Sequence, residues 1–459
     1  MNSTNDARIK KNSLSDLCVY FDAKNSRDEE TGLVDKFVGL RFVEGKLSVH
    51  FPVGYEKPKN QDEKQIRLDI LNLISVLSSF GTPESSLRQT DISLKPDQVI
   101  FPLHAYLFVI SDFLNHGYYK PKEQIYKHGT TGKINWSRTI KQVRPQITNE
   151  NVVYLEFITQ RTKHNEDELI TQIHKYCVYE SFSKLGYLFS SFIPAKPAIA
   201  FNKNFFTSIL QTKLAHTFNE KELLLFKNML EIILYLDSSS NKENFIYGTN
   251  NFHHIWEQLV DSVYGEKDKD KFYPKVYWRL KGNKSDFLFG NSEKRNSLRP
   301  DTIMIQERGK PEQKIFVLDS KYYQYGSTKN PNHLPDSASV VKQIAYAKYI
   351  DTSENQNKLP QDVHQNIDSQ KIYNAFILPS SLKTPQKTPQ NIGFVSADYV
   401  LPQDSKICQK PYHKIHGILL DIRTLMYSHS PHNNQAIDEL AEMIMGEDNG
   451  EVLLGIEIL

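Results

Sequence analysis

Three cysteines in 459 residues, Cys18, Cys177 and Cys408, are too few and too far apart for a disulfide framework. None stands at the spacing of a zinc-ligand pair. Long hydrophobic runs are missing as well. Stretches such as 223–226 (LLLF) and 232–236 (IILYL) fall far short of the roughly 20 apolar residues that span a bilayer. The opening MNSTNDARIKKNSLSD is polar and has no signal-peptide core. These absences lead to the expectation of a cytoplasmic protein with no membrane contact. An excess of one charge is also lacking: 56 Lys and Arg stand against 54 Asp and Glu, a formal net charge of +2. That balance excludes a histone-like coat while leaving a local basic surface open.

What is present is globular. Hydrophobic residues make up 39% and charged residues 24%, and the length predicts two or three domains. Three regions are read along the chain. The first, 1–150, opens with strand-like pieces at 17–22, 39–43 and 47–51, then helices at 63–80 and 103–115. The second, 151–250, reads as a helical linking region, with apolar residues at three- and four-residue intervals over 167–189, 204–218 and 220–236. The third, 251–459, alternates helices (252–264, 338–350, 436–445) with strand-like runs (276–280, 302–306, 315–323, 372–378, 392–395, 417–421). The alternation predicts a mixed α/β sheet covered by helices, in a chain that is α+β overall. Polar stretches at 358–370 and 382–390 read as surface loops.

The small net charge conceals a basic segment. Residues 118–148 hold Lys120, Lys122, Lys127, Lys133, Arg138, Lys141 and Arg144 against Glu123 alone, a local +6 that leaves −4 for the rest. Tyr118, Tyr119, Tyr126 and Trp136 are interleaved with these cations. Lys127, Lys133, Trp136, Arg138, Lys141 and Arg144 are the candidates for touching DNA phosphates and bases, or an acidic face of a partner protein. The segment also contains Gly129-Thr130-Thr131-Gly132-Lys133-Ile134. A phosphate-cradling P-loop needs four residues between its glycines and Ser or Thr after the lysine. The spacing does not match, so no nucleotide-binding motif is read here, and any nucleotide-driven step belongs to another chain.

The strongest chemical signal is RPDTIMIQERGKPEQKIFVLDSKYY. Asp301 heads one apolar run, ERGKPE can reverse the chain, and the return run ends in Asp319-Ser320-Lys321. Side chains alternate along a strand, so Asp319 and Lys321 share a side. Two carboxylates on adjacent strands suit Mg²⁺, a hard ion that takes oxygen ligands, with the Ser320 carbonyl as a further ligand. Such an ion polarises a phosphate oxygen and acidifies bound water, and Lys321 can orient or help deprotonate that water. Asp/Glu-x-Lys alone has little meaning, since Asp22, Glu44, Asp62, Glu312 and Asp404 also begin one. Only the 301/319/321 set joins it to a Pro-Asp and a strand–turn–strand context. Glu257, on the helix FHHIWEQLV, can reach the same metal. Gln343 and Tyr346, one helical turn apart, can bond DNA phosphates or position Lys321. His253 and His254 lack the spacing of a zinc site.

The Asp301…Asp319-x-Lys321 set resembles the PD-(D/E)xK nuclease fold. With FPVGYEKPKNQDEKQIRLDILNLISVL, GKINWSRTI and FHHIWEQLV, the wider pattern is similar to the LlaJI-type restriction endonucleases, themselves similar to the McrC nuclease subunit of McrBC systems. The resemblance implies a C-terminal restriction-endonuclease-like sheet over 251–459. It also implies a Mg²⁺-dependent nuclease subunit of a phage-defence restriction system, cutting double-stranded DNA beside DNA methyltransferases and an McrB-like AAA+ GTPase. Carried over residue by residue, Asp301 and Asp319 are metal ligands and Lys321 the catalytic lysine, with Glu257 and Gln343 in supporting roles. The 1–150 region would engage the motor or DNA. Two rivals remain at this point, a standalone site-specific endonuclease and a non-catalytic assembly subunit.

Overall fold

The computed structural model describes residues 17–20, 37–43, 46–56, 63–80, 101–148, 151–164, 168–190, 192–238, 245–275, 298–352, 358–382, 389–397, 410–428 and 433–446. The described residues divide into two compact units. One is drawn from Leu94–Phe245, the other from Leu17–Ser93 together with Ile246–Leu459. The division cuts across the three consecutive regions read from the sequence, because the chain begins one unit, leaves it, and returns.

The larger unit starts with β1 (Leu17–Tyr20), β2 (Val38–Val43) and β3 (Lys46–His50). β2 and β3 form an antiparallel hairpin, and β1 runs parallel to β3. Helix α1 (Glu63–Phe80) buries Ile66, Ile70, Leu73, Ile74 and Leu77, the stripe its periodicity predicts. The same face buries Asp69.

The smaller unit follows. It contains α2 (Leu103–His116), β4 (Lys122–Gly129), β5 (Lys133–Ile134), α3 (Trp136–Gln142), β6 (Gln146–Thr148), β7 (Asn151–Val153) and β8 (Phe157–His164). Helices α4 (Leu169–Leu185), α5 (Lys203–His216) and α6 (Glu220–Ser238) complete it. β8 lies between β4 and β5, and β6 pairs with β7. Helices α2, α4 and α6 pack on one another, with the Phe101 ring between Tyr106 (4.6 Å) and Tyr235 (5.3 Å). The helical reading of 151–250 therefore holds over 169–238, while 151–164 and 245–249 belong to strands. β8 carries Gln, Arg, Lys and His, which blurs its two-residue alternation.

His174, on α4, is fully buried, and its Nδ1 accepts the Tyr119 N–H at 2.9 Å. That bond fixes a neutral ring, and burial pushes its pKa down to about 4. Between that value and the ordinary ~6.5 the unfolded chain binds the proton and the folded chain does not, so stability falls as pH drops through this window. Urea unfolding at pH 5 against pH 7 should show a loss of about 2 kcal/mol from this group, absent in His174→Leu. An unchanged pH dependence in the variant would show that His174 does not titrate in this way.

The chain re-enters the larger unit through β9 (Phe245–Thr249), which pairs with β2. The two backbones approach closely at a pair of glycines. A Cβ on Gly39 would lie 2.3 Å from the Tyr247 carbonyl oxygen, and one on Gly248 2.3 Å from that of Val38. Then come α7 (Phe252–Tyr264), β10 (Thr302–Gln306), β11 (Lys314–Ser320) and α8 (Ser337–Asp351). They are followed by β12 (Ile372–Ser380), β13 (Gln390–Val395), β14 (Ile415–Asp421), α9 (Ile422–Tyr427) and α10 (Asn434–Met445). The five strands form one mixed sheet in the order β10-β11-β12-β14-β13. β10 is antiparallel to β11 and β13 to β14, while β11, β12 and β14 are parallel. Helix α8 lays Tyr346, Ala347 and Ile350 on Ile303, Ile305, Ile315 and Val317, and α7 and α10 also pack on β10. Fold class is thus the expected mixed α/β sheet flanked by helices. The run expected at 276–280 lies outside the described residues. Within 358–370, read as a loop, Leu359 and Val363 are buried in the sheet's core. Among the described residues no helix is long and apolar enough to cross a membrane.

Residues 17–80 join this unit because α1 packs on α7 and α9 as well as on its own hairpin. The joint is polar at its centre. Asp69 Oδ1 accepts from Arg423 Nη2 (2.9 Å) and Nε (3.2 Å), from Tyr427 OH (2.7 Å) and from Gln65 Nε2 (3.1 Å).

Candidate active site

Antiparallel pairing sets Thr302 opposite Leu318, so Asp301 and Asp319 come side by side at the ends of β10 and β11. The turn 307–313 that joins the strands has Glu307 and Gly309 in left-handed conformations, with the Gly309 N–H donating to the Gln313 side chain at 2.9 Å. The Ser320 backbone N–H donates to Asp301 Oδ2 at 2.8 Å and pins that carboxyl to the return strand. Asp319 is 4% exposed and Ser320 5%. Lys321 Nζ lies 2.8 Å from Asp319 Oδ2, the same-side placement that alternation requires. Lys321 N–H still donates to the Ile377 carbonyl on β12 (2.8 Å), so the lysine's backbone is anchored although β11 ends at Ser320.

Electrostatics mark the pair. Burial, then the charge of Asp319 and a hydrogen bond with it, and then Glu257, push the Asp301 carboxyl up to about 8. Two buried carboxyls this close cannot both ionise without a cation nearby. At Lys321 burial works against the ammonium, but Asp319 and Asp301 outweigh it and hold its pKa above the ordinary lysine value. Burial also raises the Glu257 carboxyl and Asp319 adds to this, while His254, with Nδ1 3.5 Å from Glu257 Oε2, and Lys321 oppose it. Glu257 therefore feels the site from α7 without joining it: among the described residues no three His, Cys, Asp or Glu side chains form a group that could hold a metal. The Ser320 hydroxyl is buried without a hydrogen-bond partner.

The family model for LlaJI restriction endonucleases matches residues 37–407, most of the chain and all of this site. The chain belongs to the LlaJI restriction endonuclease family. A curated relative, the type II restriction enzyme BsuMI component YdjA of Bacillus subtilis (strain 168), is 25% identical over 299 residues. The match takes in 62% of this chain and 59% of that protein, so this chain spans about three-fifths of its relative's length. A solved half-complex from a tetradecameric assembly of Thermococcus gammatolerans McrB AAA+ hexamers with bound McrC aligns at 15% identity and a TM-score of 0.34. That alignment covers 93% of this chain and 89% of the other. Likeness at that score carries no inference.

The remaining candidates of this LlaJI-family chain fall into two groups. Gln343 has no exposed surface to offer a phosphate. Its Nε2 donates to the Val317 carbonyl at 2.6 Å, holding β11 two residues before Asp319. Tyr346 OH donates to the Arg299 carbonyl at 3.3 Å. The other group lies in the smaller unit: Lys127, Lys133, Trp136, Arg138, Lys141 and Arg144 are all exposed. The Arg138 guanidinium sits 3.8 Å over the Tyr126 ring, and Trp136 meets Tyr154 and Phe157 edge to face. Residues 130–132 of the GTTGK run connect β4 to β5 on either side of β8.

Sequence reasoning missed two features. The Val53 N–H donates to Tyr322 OH at 2.7 Å, and a Cβ on Gly54 (φ +80°) would stand 3.0 Å from the Ser380 backbone. The FPVGY run is thus seated beside the ends of β11 and β12, a placement with no local signal. The second feature is Lys269, which donates to the Asp301 carbonyl.

Proposed function

We propose that this chain is the Mg²⁺-dependent nuclease subunit of a restriction system, hydrolysing phosphodiester bonds of double-stranded DNA at the Asp301/Asp319/Lys321 site. The observation that carries the reading is the pair of carboxyls at adjacent strand ends, with a lysine 2.8 Å from its buried member, Asp319. The donors present fit the ion: two crowded carboxyls, mutually repulsive without a cation, beside the Ser320 carbonyl, all of them oxygens. When bound by Asp301 and Asp319, Mg²⁺ would polarise a phosphate oxygen and acidify water. Lys321 presents N–H donors for the water or a phosphate oxygen. Ser320 N–H ties the two strand ends together, and Gln343 holds β11 to α8. Glu257 on α7 is close enough for its charge to be felt by the pair and is a further carboxylate candidate.

The exposed basic segment and the resemblance to McrC-like subunits support a second chain, a McrB-like AAA+ GTPase motor, with DNA methyltransferases in the same system. Mixing the chain with plasmid and Mg²⁺, with and without the neighbouring AAA+ protein and GTP, tests this. Cutting is expected only in the complete mixture. Equal cutting by the chain alone would make it a standalone endonuclease.

A further inference from the structure

A metal ligand is only as well placed as the backbone that carries it. The 299–301 segment leads into β10, which begins at Thr302, and two of its carbonyls are held by side chains. Tyr346 OH takes that of Arg299. Lys269 Nζ donates to that of Asp301 at 2.6 Å, across 32 positions of sequence. The same ammonium lies 2.7 Å from Asp261 Oδ2. Asp261 is one turn beyond Glu257 on α7, so the helix that carries a site carboxylate also anchors the lysine that grips Asp301. Lys269 opens a 3₁₀ turn (Lys269–Phe272), and the Glu266 N–H just before it donates to the Ile303 carbonyl at 2.9 Å. Gly265 follows α7 where a Cβ would stand 2.3 Å from Asp261 Oδ1. Its backbone has an ordinary negative φ, so here space rather than conformation requires glycine.

We propose that Lys269, aimed by Asp261, is a positioning residue that sets the main chain of Asp301 for divalent metal binding. This rests on the reading of Asp301 as a metal ligand. A plain surface ion pair would need only the carboxylate and would contribute little. The bond to the Asp301 carbonyl is at least as short as the ion pair and makes the lysine a bridge between α7 and the head of β10.

The test is Mn²⁺ binding by the full chain, followed by electron paramagnetic resonance, alongside thermal melting. Lys269→Met is expected to weaken Mn²⁺ binding about 10–100-fold, as loss of outer hydrogen-bonding partners does at metal sites. Lys269→Arg, which keeps a donor, is expected to restore most of it. The sign discriminates. If the lysine acted only through its charge, its removal would tighten cation binding. If it served only folding, melting would drop with affinity unchanged. Either result overturns the proposal. Should Lys269→Met melt out, Lys269→Gln, polar but too short to reach the carbonyl, is read in its place against the same expectation. Asp301→Asn separates the two levels. If it binds Mn²⁺ like wild type, the metal site itself is wrong. If it loses binding while Lys269→Met keeps it, only the positioning role fails.

Discussion

Asp319→Ala should lower Mg²⁺-dependent DNA cleavage by about 10⁴-fold or more, the scale seen when one member of a catalytic set is removed. The loss should come without loss of fold. Asp319 is buried against Asp301, so its removal relieves repulsion between two carboxyls, which offsets the ion pair lost with Lys321. Lys321 gives up its 2.8 Å partner but keeps Asp301 nearby. The melting temperature should therefore equal or exceed that of wild type, the usual sign that a site is strained for function. Cleavage within tenfold of wild type would remove Asp319 from the catalytic set. A fall in melting temperature that accounts for the lost activity would mean the residue is structural.

The largest stability effect is expected far from the chemistry. Asp69→Ala strips four hydrogen bonds from a fully buried carboxylate and leaves the Arg423 guanidinium and Tyr427 hydroxyl without it. Breaking a buried pair by removing one partner typically costs about 3–5 kcal/mol. Arg423 is 26% exposed, so water compensates in part and about 3 kcal/mol is expected. Asp69→Asn, which keeps the shape and one acceptor, should cost less. Urea unfolding checks this. A cost below 1 kcal/mol would mean that α1 is not locked to α9 through this carboxylate.

The parts of the fold that the sequence made legible are those whose periodicity survives folding. The stripe on α1, the apolar strands β10 and β11, and the same-side placement of Asp319 and Lys321 are consequences of 3.6- and two-residue repeats. What escaped has a different physical origin. Residues 17–80 join the C-terminal sheet's unit through a close glycine contact between β2 and β9 and through one buried carboxylate, neither of which leaves a local pattern. The strands of the basic segment carry too many charges to alternate visibly. Gln343 looked like a surface contact because a polar side chain on a helix usually is one, but its amide is spent on a strand carbonyl. Lys269 could not be found at all, since its partner is a main-chain oxygen.

The most direct measurement is the number of Mn²⁺ ions bound per chain, counted by electron paramagnetic resonance in wild type and in Asp319→Asn. The Asp301/Asp319 pair predicts a saturable site in wild type that is lost in the variant. An identical titration of the two proteins would contradict it.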